Sequence, residues 1–425
     1  MSAPNSDLSP LAPLNVLLVT LGSAGDVYPF VMIGRALLRR GHTVTLITSA
    51  HFRQVVTDAS IEFVGLGTPE DYSQVTDDPD LWDPRRAFRV FARRVVIPAI
   101  SPVYEAISNW LRHDTVIVAQ GQAFGAHFAH ERHGIPFVTI NLQPAAFRTA
   151  YDSPLFPSWL PTAARPLVNQ LVDFLLIDRE LAGPVNSLRS QIGLPPIKHI
   201  LGSWAHSPQR TIGLFPEWFA RPQPDWPHNM TLAGFVLLTN DPRPASPALI
   251  HFLDNGTPPI IFTPGTEMRH ARAFFESSLR ALAKIRRRGV FLSRHKDQLP
   301  SALPEDVISI PHMPFASLLH RAAAVVHHGG IGTIAHAFAS GLPQLIRPMA
   351  HDQPDNAARV ERLGVGVTVR PRRYTPERVA SSLQSLLASE NVARACQFYS
   401  TKVNATEALS VVCTEIEEVA VHYAA

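Results

Sequence analysis

The sequence predicts an α/β protein in which two domains of similar build face each other across a cleft. Three observations predict this fold class. The chain has 425 residues, 46% of them hydrophobic, and is long enough for two or three domains of about 100–200 residues. Short apolar runs alternate with helical patterns in the first half, and the same alternation restarts near residue 259. A proline-rich stretch, 221–247, separates the two series and indicates a linker.

The first half predicts a Rossmann-like domain over residues 1–235. Its opening run of apolar residues ends in glycines, after which come a helical pattern and a second apolar run, so the start reads as one βαβ unit of a parallel sheet. The predicted strands lie at 15–21, 43–48, 115–119 and 137–140, and the predicted helices at 29–40, 123–133 and 160–191.

The second half predicts another Rossmann-like domain over residues 236–400, followed by a C-terminal helix over 401–425 that crosses back to the first domain. The predicted strands lie at 259–263, 290–293, 307–310, 323–327 and 344–347, with helices at 271–288 and 334–340. Open parallel sheets bind ligands beyond the carboxyl ends of their strands. The predicted site is therefore the interdomain cleft.

Charge and composition exclude several classes of protein. The net charge is +3 without a dense block of Lys and Arg, which argues against nucleic acid as a partner. The arginines at 85–86, 93–94 and 286–288 favour solvated helix faces, with attraction to an anionic membrane or lipid as the alternative. Two cysteines without metal-ligand spacing favour a reducing compartment. Without a visible secretory signal or an apolar run of about 18 residues, the expected location is the cytoplasm, with peripheral contact at the inner membrane left open.

A glycine-rich turn over 325–333 predicts a cradle for a diphosphate. An apolar strand runs into Gly329, Gly330 and Gly332 and then into a helix, so backbone N–H groups at a positive helix end can approach a ligand closely. The Thr333 hydroxyl and a ring N–H of His327 can add to the cradle. Such a turn by itself is also compatible with an ordinary strand-to-helix connection.

Three further turns of the second half carry candidate donor contacts. Asp352 and Gln353 offer a carboxylate and an amide that suit sugar hydroxyls, whereas Asp352 as a helix cap is the alternative. Gly265 and Thr266 end another strand and either face the donor or form a plain turn. His312 can stack on a nucleotide base while the Met313 backbone reads the edge of that base, or His312 is a loop histidine without a ligand.

Asp26 is the candidate catalytic residue. It lies where the first strand meets the first helix, at the cleft, where a carboxylate can accept the proton of an attacking hydroxyl. Capping the helix that starts near Pro29 is the alternative, and one side chain can do both. The acidic run 77–80 looks like a metal site but is interpreted as a solvated turn before Trp82, and we predict no metal ligands.

The acceptor side is predicted from aromatic residues. Phe156 and Trp159 precede the helical stretch 160–188, which lines an apolar trough or else belongs to ordinary core packing. Ser23, three residues before Asp26, is predicted to contact the acceptor as well.

On these residues the chain resembles family 1 glycosyltransferases of the GT-B fold, through 22–30, 327–333 and 351–356, and the resemblance covers essentially the whole chain. Within that family it most resembles the rhamnosyltransferases of rhamnolipid biosynthesis. The stretches that carry this finer resemblance are 22–30, 78–84, 206–209, 215–220, 225–227 and 329–332.

This resemblance implies inverting, metal-independent transfer of L-rhamnose from dTDP-L-rhamnose to a 3-(3-hydroxyalkanoyloxy)alkanoate, with no cofactor and with an acyltransferase as an open partner. It implies Asp26 as the base, His327 and Thr333 at the diphosphate and Asp352 and Gln353 at the sugar. His312 and Met313 would face the thymine.

The chain departs from the family at two places. Many relatives carry histidine at position 26 with a distant aspartate, but 119–122 holds no carboxylate here, so Asp26 is expected to act without a partner. Gly330 and Ile331 replace the tryptophan and asparagine of plant enzymes. Three rivals stay open: a transferase acting on a sterol, macrolide or carotenoid, a non-catalytic lipid- or nucleotide-sugar-binding subunit, and an epimerase.

Overall fold

A computed structural model describes residues 12–154, 156–157, 159–238, 245–311 and 315–423. Within these residues two parallel β-sheets, each covered by helices, form two domains that face each other across a cleft. The predicted α/β architecture of two Rossmann-like domains is therefore confirmed.

The first domain is built on a seven-stranded sheet with the order β3-β2-β1-β4-β5-β6-β7 in the described residues. β1 and β4 are buried at every residue because helices cover both faces, which is why their sequences read as continuous apolar runs. The strands are β1 Asn15–Val19, β2 Thr43–Ser49, β3 Glu62–Leu66, β4 Thr115–Gln120, β5 Phe137–Asn141, β6 Arg210–Gly213 and β7 Met230–Leu232. The helices are α1 Ala24–Arg39, α2 Arg53–Asp58, α3 Pro69–Thr76, α4 Ala87–Phe91, α5 Ile97–Asn109, α6 Phe124–His133, α7 Arg165–Val172 and α8 Asp178–Gln191.

The second domain has a six-stranded sheet with the order β10-β9-β8-β11-β12-β13 in the described residues. Its strands are β8 Ile260–Thr263, β9 Gly289–Leu292, β10 Val307–Ile310, β11 Ala324–His327, β12 Gln344–Ile346 and β13 Gly366–Thr368. Its helices are α9 Pro247–Asp254, α10 Arg272–Ile285, α11 Phe315–Leu318, α12 Ile331–Ala339, α13 Gln353–Arg362, α14 Pro376–Ala388 and α15 Glu390–Ser400.

The last helix, α16 Ala405–Tyr423, packs against the first domain. Val412 and Ile416 are buried in the same apolar cluster as residues of β1 and α1. An ion pair joins Arg40, just after α1, to Glu417 at 2.7 Å. The C-terminus therefore ties the chain back to the domain in which it began.

The predicted bounds of three helices were wrong. α1 begins at Ala24 rather than Pro29, because Ser23 and Asp26 form a capping box that starts the helix earlier and leaves Pro29 inside it. α12 begins at Ile331 rather than Ile334, with Gly330 at its N-cap. The predicted helix 160–191 is divided by a π-helical turn, Asp173–Ile177, between α7 and α8.

Each sheet places a switch in strand order at the cleft. The order reverses between β1 and β4 in the first domain and between β8 and β11 in the second. Loops that leave these strand pairs diverge to opposite faces of the sheet, so a crevice opens at their carboxyl ends. Among the helices described, none has the length and apolar character needed to cross a bilayer.

Candidate active site

The cleft between the domains has a volume of about 1450 Å³. Its walls include the residues after β1 and β4 on one side and those after β8 and β11 on the other, together with the start of α13. Both topological switch points thus open into one space. A ligand held by one domain lies within reach of the other.

The start of α12 supplies a backbone nest on the second-domain wall. Gly330, Ile331, Gly332 and Thr333 all line the cleft. The first amides of a helix have no intrahelical acceptor and carry the positive end of the helix dipole. A Cβ atom at Gly332 would meet no protein atom within 4 Å, so the space in front of this turn is open. These features suit a diphosphate.

The prediction for His327 was wrong. This side chain is fully buried, its Nε2 lies 3.1 Å from Oε1 of Gln344, and its Nδ1 accepts from the Gly329 amide at 3.1 Å. Successive side chains of a strand point to opposite faces, and His327 is still part of β11. His327 therefore shapes the turn from below instead of touching the cleft.

Gly329 serves the turn in the same way. Its amide donates a hydrogen bond to Nδ1 of His327, and Gly329 does not line the cleft. Its φ of +96° and the 3.0 Å from a Cβ built there to Ile346 explain why glycine is needed. Gly329 is thus a packing glycine and not a diphosphate contact.

His328, which the sequence places in the same loop but to which we assigned no contact, lines the cleft instead. Its ring lies between two glycine turns, because Cβ atoms at Gly265 and Gly330 would come within 3.2 and 2.5 Å of it. Burial lowers the pKa of His328 to about 4, which leaves a neutral ring with one N–H to donate. Its buried Nδ1 has no hydrogen-bond partner in the described part of the chain. The spacing of the two histidines along the strand was the signal that could have separated them.

Asp352 and Gln353 both line the cleft at the start of α13. Burial and the charge of Asp26 raise the pKa of Asp352 to about 7. Its Oδ2 accepts from Nδ2 of Asn356 at 2.6 Å, and it makes no side-chain cap to α13 in the described structure. The Oε1 of Gln353 accepts from the amides of Met349 and Ala350, so its NH₂ group is the end left for a sugar.

Asp26 lines the cleft from the first domain as the third residue of α1. Its Oδ2 accepts from the Ser23 amide at 2.8 Å and the Ser23 hydroxyl at 3.1 Å, and its Oδ1 accepts from Nε2 of Gln120 at 3.0 Å. Burial raises the pKa of Asp26 above its ordinary value, and the Ser23 and Gln120 hydrogen bonds oppose that shift. Asp26 is therefore both a capping residue and a positioned base.

Asp26 has no carboxylate partner in 119–122, as expected, but Gln120 of that stretch binds it through a side-chain amide. Gln120 ends β4 and reaches across the switch point, where its Oε1 also accepts from the Thr20 hydroxyl and the Leu21 amide, each at 2.9 Å. The side-chain amide of Gln120 thus holds the Asp26 carboxylate in position. Only the adjacency of β1 and β4 in the sheet reveals this contact.

Apolar side chains of the first domain form a trough that continues the cleft away from Asp26. The residues that line it include Phe88, Phe91, Val96, Phe124, Phe147, Phe156, Val168, Val172, Ile177 and Leu181. Phe156 thus lies where it was predicted, and Ser23 lines the cleft as well. The prediction for Trp159 was wrong, because this side chain is 78% exposed and lies outside the cleft lining.

Comparisons with known proteins agree with this arrangement. Residues 16–151 match the glycosyltransferase family 28 N-terminal domain, and residues 283–420 match the C-terminal domain of erythromycin biosynthesis protein CIII-like proteins. The O-mycaminosyltylonolide 6-deoxyallosyltransferase of Streptomyces fradiae is 28% identical over 420 residues, covering 95% of this chain and 97% of its own. The chain is thus a glycosyltransferase with the GT-B fold.

Solved structures show the same fold for this GT-B glycosyltransferase. The glycotransferase of kitacinnamycin has a TM-score of 0.75 at 21% identity, covering 96% of this chain and 99% of its own. The spinosyn rhamnosyltransferase complexed with thymidine diphosphate has a TM-score of 0.64 at 18% identity, covering 94% and 99%. At these identities the likeness concerns the fold.

The nucleotide end of this glycosyltransferase is defined in part. Gly265 and Thr266 line the cleft after β8, as predicted. His312 and Met313 lie outside the described residues. Ser293, Arg294, Pro311 and Phe315, which sequence reasoning missed, line the cleft near the ends of β9 and β10 and extend the donor wall. The signal for Ser293, Arg294 and Pro311 was present, since they lie at or just beyond the carboxyl end of a predicted strand, whereas Phe315 is the first residue of α11.

The acidic run 77–80 forms a turn in which Asp77 and Pro79 are exposed, as predicted, but it also contacts the second domain, which was not predicted. Oδ1 of Asp77 pairs with Nε of Arg269 in the second domain at 2.6 Å, and the Leu81 carbonyl lies 3.0 Å from Nε2 of His351. Trp82 meets the His351 ring edge-on, with centroids 6.3 Å apart. This loop therefore bridges the two domains beside the donor site. Among the residues described, no group of three or more His, Cys, Asp or Glu side chains is placed to hold a metal ion.

A second bridge joins the domains through Asp152. Its carboxylate pairs with Arg362 at 2.5 Å and with Arg359 at 3.3 Å, and both arginines belong to α13. The helix that presents Gln353 to the cleft is thereby anchored to the first domain. The relative position of the two cleft walls thus depends on charged contacts and not on the linker alone.

Proposed function

We propose that this glycosyltransferase moves L-rhamnose from dTDP-L-rhamnose to the hydroxyl of a 3-(3-hydroxyalkanoyloxy)alkanoate, giving a mono-rhamnolipid. One observation carries the proposal. The Asp26 carboxylate lines the same cleft as an open backbone nest and an apolar trough. A charged donor and a lipophilic acceptor can therefore meet at this side chain.

The chemistry assigned to Asp26 is general-base catalysis. As the acceptor oxygen attacks the anomeric carbon, its proton passes to the carboxylate and the bond from that carbon to the diphosphate oxygen breaks. Attack from the face opposite the leaving group inverts the anomeric centre. A base positioned in this way contributes about 10²–10⁴-fold in rate, and the hydrogen bonds from Ser23 and Gln120 hold it in place.

The leaving group is stabilised from the second domain. Negative charge grows on the diphosphate as the glycosidic bond breaks, and the first amides of α12 point into the space it would occupy. The neutral His328 ring has one N–H to donate to the same group. Preorganised donors of this kind contribute roughly 3–4 kcal/mol each to transition-state stabilisation. In this proposal they take the part that a metal ion plays elsewhere.

Asp352 completes the sugar end. The carboxylates of Asp26 and Asp352 come from opposite domains yet interact electrostatically, which supports a sugar site between them. With a pKa of about 7, Asp352 carries a proton in part of the molecules at neutral pH and can either donate to or accept from a sugar hydroxyl. Its partial neutrality also limits repulsion of the ionised base.

The acyl acceptor is supported by the size and character of the trough. Phenylalanine and aliphatic side chains dominate it from Phe88 to Leu181, and the whole cleft, at about 1450 Å³, is larger than the roughly 300–1,000 Å³ of a usual small-molecule pocket. A second candidate acceptor is a macrolide, because the relative that acts on O-mycaminosyltylonolide covers nearly the whole chain. Both acceptors present a hydroxyl on an apolar body.

Incubation of the purified protein with matched donors and acceptors tests the proposal. The donors are dTDP-L-rhamnose and UDP-glucose, the acceptors a hydroxydecanoyloxy-decanoate and a macrolide aglycone, and products are identified by mass spectrometry. We expect rhamnosyl transfer to the hydroxy acid. Transfer to the macrolide alone would favour the second candidate. Donor turnover that never consumes an acceptor would overturn both.

A further inference from the structure

The segment that closes the acceptor trough also has an apolar face turned to solvent. Leu167 and Phe174 are each 69% exposed, and Leu171 is 53% exposed. These three positions recur at helical spacing along α7 and the π-helical turn, and Leu175 and Leu176 continue the exposed surface. We call Leu167, Leu171, Phe174, Leu175 and Leu176 the outer apolar face.

The inner side of the same segment lines the acceptor trough. Val168, Val172 and Ile177 contact the cleft, whereas no residue of the outer apolar face does. One short stretch of chain therefore separates the trough from solvent and is apolar on both sides. A globular protein rarely leaves a contiguous apolar surface of this kind uncovered unless it meets a partner or a membrane.

The outer apolar face carries no negative charge. α7 contains no acidic residue, and Asp173, the acid at the start of the π-helical turn, is buried and paired with Arg148. The polar neighbour Gln170 is neutral. Nothing along this face would repel an anionic surface.

Arginines flank the outer apolar face on the neighbouring segment. Nε of Arg89 and Nε of Arg93 both reach Glu180 at the start of α8, at 3.0 and 2.7 Å, so one carboxylate is shared by two guanidinium groups that are each 61% exposed. Two other exposed arginines of this segment, Arg86 and Arg94, are paired with Asp80 and Asp78, so only Arg89 and Arg93 are called the arginine belt. Exposed guanidinium groups beside apolar side chains match the headgroup region of an anionic bilayer.

We propose that the outer apolar face and its arginine belt dock the enzyme on an anionic membrane surface, so that a lipid acceptor enters the trough from the bilayer. The inference rests on the proposed lipid acceptor. It assigns the membrane contact to one segment, with the side chains of Leu167, Leu171 and Phe174 inserted at the interface and Val172 and Ile177 facing the acceptor behind them.

Sedimentation with vesicles tests the docking without any need for catalysis. Wild-type protein is mixed with vesicles of phosphatidylcholine alone or of phosphatidylcholine with phosphatidylglycerol, and the pelleted fraction is measured. We expect binding to the anionic vesicles that weakens as salt is raised. The triple variant Leu167→Ser, Leu171→Ser, Phe174→Ser should bind at least about tenfold more weakly, because it lacks the three apolar side chains that would be buried in the bilayer.

A matched triple variant controls for the general loss of surface hydrophobicity. Ile250→Ser, Phe398→Ser, Val421→Ser removes apolar side chains that are also 43–55% exposed but lie elsewhere. It should bind anionic vesicles as the wild type does. Circular dichroism spectra and Tm values close to wild type for both variants establish that each is folded.

Three results would overturn the proposal. One is wild-type protein that stays in the supernatant with both vesicle types. Another is equal binding by the two triple variants. The third is a dimer by light scattering that the Leu167, Leu171 and Phe174 changes convert to a monomer, because the face would then be covered by a second copy. Rhamnosyl transfer to a soluble short-chain acceptor is measured separately for the wild type. If the wild type performs this transfer but does not bind vesicles, the docking proposal fails and the proposed function stands.

Discussion

The two walls of the cleft offer different kinds of groups to a ligand. On the second-domain wall the central contacts are backbone amides at the start of α12, framed by glycines and by the His328 ring. On the first-domain wall the contacts are side chains, with Asp26 at one end and a row of phenylalanine and aliphatic residues beyond it. One wall is built from a turn and the other from inserted segments.

This difference explains what each wall can change. A nest of amides depends on φ and ψ, so it accepts a diphosphate whatever sugar or base is attached. The trough is assembled from α4, α5, α7 and α8, which lie in the connections between strands of the first domain and can vary without disturbing its sheet. We infer that donor phosphate binding is fixed by the fold and acceptor choice by these insertions.

Replacing the base should have the largest effect. Asp26→Asn keeps the size of the side chain and an oxygen for the Ser23 amide but removes the negative charge that takes the proton. We expect kcat to fall about a thousandfold, within the range that general-base catalysis contributes. Because the diphosphate nest belongs to the other wall, the Kd for dTDP measured by calorimetry should stay near wild type.

Glu407→Gln is the matched control for that change. Glu407 lies three residues after Asn404 at the start of α16, exchanges hydrogen bonds with it as a capping residue does, and is far from the cleft. Its replacement removes a capping charge without touching the site, so kcat should be unchanged. A wild-type rate in Asp26→Asn would assign Asp26 to capping alone.

The opposite wall is tested by a single methyl group. Gly332→Ala places a Cβ in open space at the diphosphate nest, and Gly183→Ala does the same on α8, where no atom lies within 4 Å either. Both helices should gain roughly 0.5–1 kcal/mol from the better helix former. Only Gly332→Ala should weaken dTDP binding, by about tenfold or more, because the methyl group occupies ligand space.

Calorimetry of the two glycine variants can contradict the proposed binding of the diphosphate at the start of α12. Equal dTDP affinity in Gly332→Ala and Gly183→Ala would move the diphosphate away from α12. Higher Tm values in both variants show that neither substitution disturbs the fold.

The same contrast between walls explains how far sequence reasoning reached. Strands that end in glycines and lead into helices identify a parallel sheet and its ligand edge, because periodicity and turn chemistry are local properties. The partnership of Gln120 with Asp26 is not local: the two residues are 94 positions apart and meet because β1 and β4 are neighbours. His327 and His328 are adjacent in the chain, and which of them faces the ligand depends on where β11 ends.

The cross-domain contacts were beyond sequence reasoning for the same reason. Nothing in the sequence around the acidic run 77–80 indicates that Asp77 pairs with Arg269 or that the Leu81 carbonyl lies beside His351. Trp159 was misplaced because aromatic composition does not say which side of a segment faces the trough. Long-range placement, rather than residue type, was the missing information.

A smaller effect is expected from the residue that holds the base. Gln120→Ala removes the hydrogen bond to Oδ1 of Asp26, which acts to lower the pKa of that carboxyl. The pKa should therefore rise further, and the base should be lost to protonation at higher pH than in wild type. We expect kcat/KM to fall about tenfold near neutral pH, with the acidic limb of its pH profile moved upward.

Gln54→Ala is the control for the loss of an amide-to-carboxylate hydrogen bond, since Nε2 of Gln54 donates to Asp58 on the surface. Its pH profile should match wild type. Gln120→Ala also leaves the Leu21 amide without its acceptor, which costs roughly 1–3 kcal/mol of stability. Reduced stability with an unmoved acidic limb would make Gln120 a structural residue only.

The smallest effect concerns the entrance of the trough and separates Phe156 from Trp159. Phe156 lines the trough, whereas Trp159, three residues later, is exposed. Phe156→Glu puts a charge where acyl chains are expected to lie, so the KM for a soluble short-chain acceptor should rise about fivefold to tenfold with little change in kcat. Trp159→Glu should leave that KM unchanged when no vesicles are present. If both variants raise KM equally, the trough extends over the exposed side of this segment and acceptor choice is not confined to its inner wall. If neither variant changes KM, the acyl chains lie deeper, between α4 and α8, and the insertion acts as a cover only.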